Sequence, residues 1–121
     1  MNICIIDDEE SLCTALADFV EKLDKTNSIY TLFDSRKAVN LIKDKNIDLV
    51  LTDVRMPHIT GIDILNEVKS QNLPAQVVLM SGQSDIVDSI NAIEIGALDF
   101  LTKPIDIKRI AEIIQSIQKK N

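Results

Sequence analysis

Asp7, Asp8 and Asp53 are the side chains with the most chemistry to offer. Each follows a short apolar run: Ile3-Cys4-Ile5-Ile6 precedes Asp7-Asp8, and Leu49-Val50-Leu51-Thr52 precedes Asp53. If these runs pair as parallel strands, three carboxylates meet at one sheet edge. Three acids together repel one another, and a hard divalent cation among them, Mg²⁺ by preference, relieves the repulsion. Two further apolar runs end in Ser81-Gly82 and Lys103-Pro104, which adds a hydroxyl and an ammonium to the same edge. A phosphoryl group brought in with the metal would find hydrogen-bond donors in Ser81 and Lys103. A carboxylate can attack phosphorus and become an aspartyl phosphate, with cation and ammonium stabilising the developing charge. Asp53 is the expected nucleophile, because its strand belongs between the first and fourth; Asp7 and Asp8 are expected to hold the metal.

The elements that must position these groups follow from hydrophobic periodicity. Strands are predicted over residues 3–6, 28–33, 48–52, 75–80 and 97–102, and helices over 10–24, 35–45, 61–71, 84–95 and 106–119. The inward faces are Leu12, Ala15, Leu16, Phe19, Val20 and Leu23 on the first helix and Ala38, Leu41 and Ile42 on the second. They are Ile64, Leu65 and Val68 on the third, Ile86, Ile90 and Ile93 on the fourth, and Ile107, Ile110, Ala111, Ile114 and Ile117 on the last. Alternating strands and helices imply a parallel sheet covered on both faces, with right-handed crossovers. Strands 1, 3 and 4 are the most continuously apolar and belong in the centre; strands 2 and 5 carry polar residues and belong at the edges. The expected fold is α/β, a flavodoxin-like doubly wound five-stranded parallel sheet of order 2-1-3-4-5, (βα)5, in one domain spanning residues 1–121. Such sheets bind ligands at the switch between strands 1 and 3, where the three acids lie.

Composition narrows the function classes. A net charge of −6 argues against direct nucleic-acid binding, because phosphate contacts need Lys and Arg. Cys4 and Cys13 form no CxxC or Cys/His cluster, so reduced thiols in a cytoplasmic protein are expected. No apolar stretch approaches the ~18 residues of a membrane span, and the N-terminus has no signal-peptide pattern. His58, the single histidine, reads as a solvated loop residue. Ser84 or Asp85 is the expected cap of the fourth helix, which leaves Ser81 for the site. Ile95, Leu98 and Ile113 fall outside the inward faces. An exposed cluster of Ile95 and Leu98 beside Phe100 would suit a partner.

The stretches Ile5-Ile6-Asp7-Asp8-Glu9, Leu51-Thr52-Asp53-Val54-Arg55-Met56-Pro57 with Gly61, Met80-Ser81-Gly82, and Gly96-Ala97-Leu98-Asp99-Phe100-Leu101-Thr102-Lys103-Pro104 carry a resemblance. Over essentially its whole length the chain resembles the receiver domain of bacterial two-component response regulators, a phosphorylation-activated signalling switch rather than an enzyme acting on other molecules. The resemblance implies that Asp53 accepts phosphate from the phosphohistidine of a sensor histidine kinase. It implies that Asp8 and Asp53 bind Mg²⁺ directly, Asp7 through water, and the backbone carbonyl of Arg55 as a further ligand. Ser81 and Lys103 would contact the phosphoryl oxygens, and the bond before Pro104 would be cis. Ser81 would move toward the phosphoryl group and Phe100 would rotate inward behind it, shifting a pre-existing equilibrium. Arg55 and Gln83 would tune the phosphate lifetime. The helix 4–strand 5–helix 5 face would shift to control an output, and its helix 4–strand 5 surface would mediate a homodimer or effector contact. The motifs are most similar to the nitrogen-regulation (NtrC-type) transcription activators, which implies an output in transcription regulation through downstream ATPase and DNA-binding domains; a stand-alone receiver without that output is the alternative. A flavin-binding module on the same sheet is disfavoured by the acidic first loop and by the scarcity of aromatics, Phe19, Tyr30, Phe33 and Phe100. A hydrolase with an aspartyl nucleophile would want an acid where Arg55 stands.

Overall fold

The computed structural model describes residues 1–82 and 86–120. Its strands are β1 (Asn2–Ile6), β2 (Ser28–Leu32), β3 (Leu49–Asp53), β4 (Gln76–Ser81) and β5 (Asp99–Thr102). Its helices are α1 (Glu10–Leu23), α2 (Ala38–Asp44, preceded by a 3₁₀ turn at Ser35–Lys37), α3 (Gly61–Ser70), α4 (Ile86–Ile95) and α5 (Ile107–Lys120). All strand pairs are parallel, in the order β2-β1-β3-β4-β5. This is the doubly wound sheet expected from the pattern. Gln83 and the two residues of which one was expected to cap the fourth helix, Ser84 and Asp85, lie outside the described residues.

Successive strand residues feed two cores. Ile3, Ile5, Leu49, Leu51, Val78 and Met80 pack with Cys13 and Val20 of α1 and Ile110, Ile113 and Ile114 of α5. Cys4, Ile6, Val50, Val77 and Leu79 pack on the other face with Ile42 of α2, Ile64, Leu65 and Val68 of α3, and Ala92 of α4. The two-residue period of a strand produces this division. Every residue of β3 is buried, as befits a central parallel strand covered on both faces. Both cysteines are free and buried. Burial, with Cys13 adding to it, pushes the Cys4 thiol up to about 12; burial likewise raises Cys13.

Several inward assignments are corrected. On α4, Ile90 and Ile93 are 53% and 52% exposed, whereas Ala92 is fully buried and Ile95 packs against the core. The helix has apolar residues on more than one face, and periodicity cannot say which face the sheet takes. Ile113 is buried rather than outward. Leu12, Ala15, Leu23 and Ile107 are exposed. Leu12, Ala15 and Ile107 line an apolar cleft of about 520 Å³ between α1 and the start of α5, reached also by Phe19 and Pro104.

Candidate functional site

Sheet register brings the acids together. Ile6 pairs with Thr52, so Asp7, the next residue, stands beside Asp53, the last of β3. Asp53 in turn pairs with Met80, and Ser81 with Thr102, which sets Ser81 and Lys103 at the same carboxyl edge. Backbone bonds fix the ends: Asp7 N–H donates to Leu32 O (3.1 Å), Val54 N–H to Met80 O (2.9 Å) and Lys103 N–H to Ser81 O (2.7 Å). The Lys103–Pro104 peptide is cis.

Asp7, Asp8 and Asp53 each offer a carboxylate oxygen, and these lie within 4.8 Å of one another. Asp7 and Asp53 are buried and Asp8 is exposed, so the group opens to solvent on one side. Lys103 Nζ donates to Asp7 Oδ2 at 3.1 Å and to Asp53 Oδ2 at 3.3 Å. The other oxygen of Asp7 accepts from Glu9 N–H at 2.9 Å. Burial raises the Asp53 carboxyl above the usual carboxylate range; Lys103 pulls it down, Asp7 pushes it further up, and the net direction is upward. For Lys103, burial disfavours the ammonium, but Asp7 and Asp53 outweigh burial and hold it above the usual lysine range. Among the described residues the site thus contains three carboxylates against one ammonium. That hard-oxygen donor set fits a divalent cation such as Mg²⁺.

The loop after Asp53 is pinned where it bounds the site. Val54 and Met56 are buried, Gly61 N–H donates to Val54 O (2.9 Å), and Ser35 Oγ donates to Pro57 O (3.1 Å). A Cβ on Gly61 would collide with the carbonyl oxygen of Asp53, so only glycine permits this approach of α3 to the end of β3. A capping box between Thr60 and Asp63 starts α3. His58 is an exposed loop residue with φ 70.

The remaining candidates lie on the α4 side. Ser81 is buried. By register and the alternation along β4, its side chain shares the sheet face of Leu79, and Leu79 pairs with Phe100. Phe100 is half-buried against the same core and lines a groove of about 410 Å³ with Ser89, Ile90, Ile93, Glu94 and Asp99. Arg55 is exposed, and its Nη2 lies 3.5 Å from Asp88 Oδ2 on α4. Sequence reasoning did not single out Asp88. Nothing in an acid on an amphipathic helix signals a partner in a distant loop.

A family model for the response regulator receiver domain matches residues 3–115. The chain belongs to this family. Among curated relatives, the transcriptional regulatory protein FixJ of Bradyrhizobium diazoefficiens is 34% identical over 116 residues, 95% of this chain and 55% of that protein. The transcriptional regulatory protein ZraR of Salmonella typhimurium is 31% identical over 115 residues, again 95% of this chain but 26% of ZraR. The receiver therefore spans about half of one relative and a quarter of the other. Among solved structures, a response regulator receiver domain protein from Clostridium thermocellum superposes with a TM-score of 0.89 at 27% identity, covering 98% of this chain and 94% of that one. Among the described residues, no helix of the receiver is long and apolar enough to cross a membrane.

Proposed function

We propose that Asp53 is the phosphoacceptor of a two-component switch. A carboxylate oxygen of Asp53 attacks phosphorus, the P–N bond of a histidine kinase's phosphohistidine breaks, and the imidazole leaves. Asp8 and Asp53 would hold Mg²⁺ directly, Asp7 would do so through water, and the Arg55 carbonyl would add a ligand. Bound Mg²⁺ supplies neutralisation of charge on the phosphoryl oxygens. Lys103 already reaches the Asp53 carboxylate, and after transfer it donates to a phosphoryl oxygen instead. Ser81 donates a second hydrogen bond. The observation that carries this reading is Lys103 standing between Asp7 and Asp53, with Asp8 at the open side of the same group.

The signal then passes along β4 and β5. Ser81 moves toward the phosphoryl group, and Phe100, on the same face, turns into the space behind it. Phe100 lines the groove beside Ile90 and Ile93, so its rotation reshapes the α4–β5 surface. Val87, Ile90, Ile93 and Leu98 are exposed around that surface, and it is the proposed contact for a second receiver or an effector. Because the relatives are transcriptional regulatory proteins longer than this chain, the proposed output is transcription regulation through a downstream domain. Incubation with acetyl phosphate tests the chemistry. Mass spectrometry is expected to show one added phosphoryl group with Mg²⁺ present and none with EDTA. Equal labelling in EDTA would overturn the metal-dependent mechanism.

A further inference from the structure

The apolar cleft between α1 and the start of α5 has a volume of about 520 Å³, within the roughly 300–1,000 Å³ of sites that hold small molecules. Leu12, Ala15 and Phe19 line it from one stripe of α1, and Pro104 and Ile107 line it from the segment entering α5. Leu12 is 44% and Ile107 47% exposed, so large apolar side chains stand in water at its mouth. At the carboxyl edge of the sheet the lining changes to Asp7 and Lys103, which pair at 3.1 Å in the acidic site. The two Asp7 oxygens accept from Glu9 N–H and from Lys103 Nζ, and a carboxylate oxygen can accept more than one hydrogen bond.

We infer that this cleft is a binding site for a small amphipathic cation, whose apolar body lies between α1 and α5 and whose ammonium head donates to Asp7. The body follows from the walls, which gain by covering apolar surface now in water. The head follows from charge. An anionic head could reach Lys103, but Asp8 and Asp53 each place a carboxylate oxygen within 4.8 Å of one on Asp7, and three acids repel an anion and attract a cation. An ammonium leaving water needs an acceptor, and Asp7 supplies it. The head and Mg²⁺ then compete for the same acidic group. Occupancy of the cleft lowers the affinity for metal and slows phosphate acceptance by Asp53, a consequence that rests on the proposed metal site. Such coupling is reciprocal, so Mg²⁺ weakens the ligand by the same factor.

Amide NMR spectra of the whole chain, titrated with phenylbutylamine without metal, test this. Shifts are expected at Ala15 and Ile107, one on each wall. Shortening the body to phenylethylamine is expected to weaken binding about tenfold, the effect of losing two buried methylenes. Phenylbutyrate, an anion of similar body, is expected to bind at least about tenfold more weakly than phenylbutylamine. Ala15→Trp fills the cleft from an exposed position; it is expected to abolish the shifts while acetyl phosphate still labels the chain. Phenylbutyrate binding as tightly as the amine, equal binding by Ala15→Trp, or no shift at Ala15 and Ile107 would overturn the inference. A dimer of the free chain that Ala15→Trp dissociates, seen by sedimentation, would also overturn it, since the occupant would then be a second copy. Mg²⁺ that bound without weakening the amine would overturn the competition. Failure of the metal site would look different: Mg²⁺ would leave the spectrum of the free chain unchanged while the amine still shifted Ala15 and Ile107, which upholds the cleft.

Discussion

The Lys103 ammonium donates to the Asp53 carboxylate at 3.3 Å and to Asp7 at 3.1 Å, so one cation from the end of β5 holds together the ends of β1 and β3. Removing it leaves two buried carboxylates facing each other. Lys103→Ala is expected to destabilise the fold by about 3 kcal/mol, the lower end for a broken buried pair, because the lysine side chain keeps some exposure. Urea unfolding at neutral pH measures this. A midpoint equal to wild type would mean that water, not Lys103, balances the acids.

Asp53→Asn is expected to raise the melting temperature near neutral pH. The Asp53 carboxyl is held above its ordinary range, chiefly by burial, so the folded chain pays for the ionised form. The sign follows from linkage: the cost is absent where the carboxyl is protonated in both states, grows as pH rises from the unfolded value through the folded one, and is constant above that. The advantage of the Asn variant should therefore shrink as the pH is lowered through the carboxylate range. Added Mg²⁺ should stabilise wild type more than the variant, since a ligand of the folded state raises its stability. Calorimetry at several pH values, with and without Mg²⁺, checks both statements.

Gly61→Ala is expected to cost about 1–3 kcal/mol, as overpacking does, because its Cβ meets the Asp53 carbonyl and Leu79. The displaced strand end should also slow labelling of Asp53 by acetyl phosphate. Stability falling while the labelling rate stayed unchanged would show that the approach of α3 serves packing alone.

Ile93→Lys should leave acceptance of phosphate intact and abolish any phosphorylation-dependent association, since Ile93 is 52% exposed beside the Phe100 groove. Light scattering before and after phosphorylation provides the readout. Association that persisted in the variant would move the contact off α4.

The sheet and the acidic edge were legible because buried parallel strands are short continuous apolar runs and the residues just past them stand out. Ile3–Ile6 and Leu49–Leu51 each announce the acid that follows. The phase of α4 was not legible. Ile86, Ile90 and Ile93 recur as regularly as any buried stripe, yet Ile90 and Ile93 point to solvent while Ala92 and Ile95 meet the core. The outward position of Leu12 and Ile107 depends on a cleft between two helices that are distant in sequence. The Arg55–Asp88 pair likewise depends on where α4 lies against a loop, and only the assembled fold supplies that.

Whether Asp53 takes the phosphoryl group is measured most directly by the stoichiometry of phosphate incorporated from phosphoramidate in Mg²⁺, comparing wild type with Asp53→Asn. Wild type is expected to be labelled at Asp53 and the Asn variant to lose that label, with melting curves showing both chains folded. Equal incorporation in the two chains would contradict it.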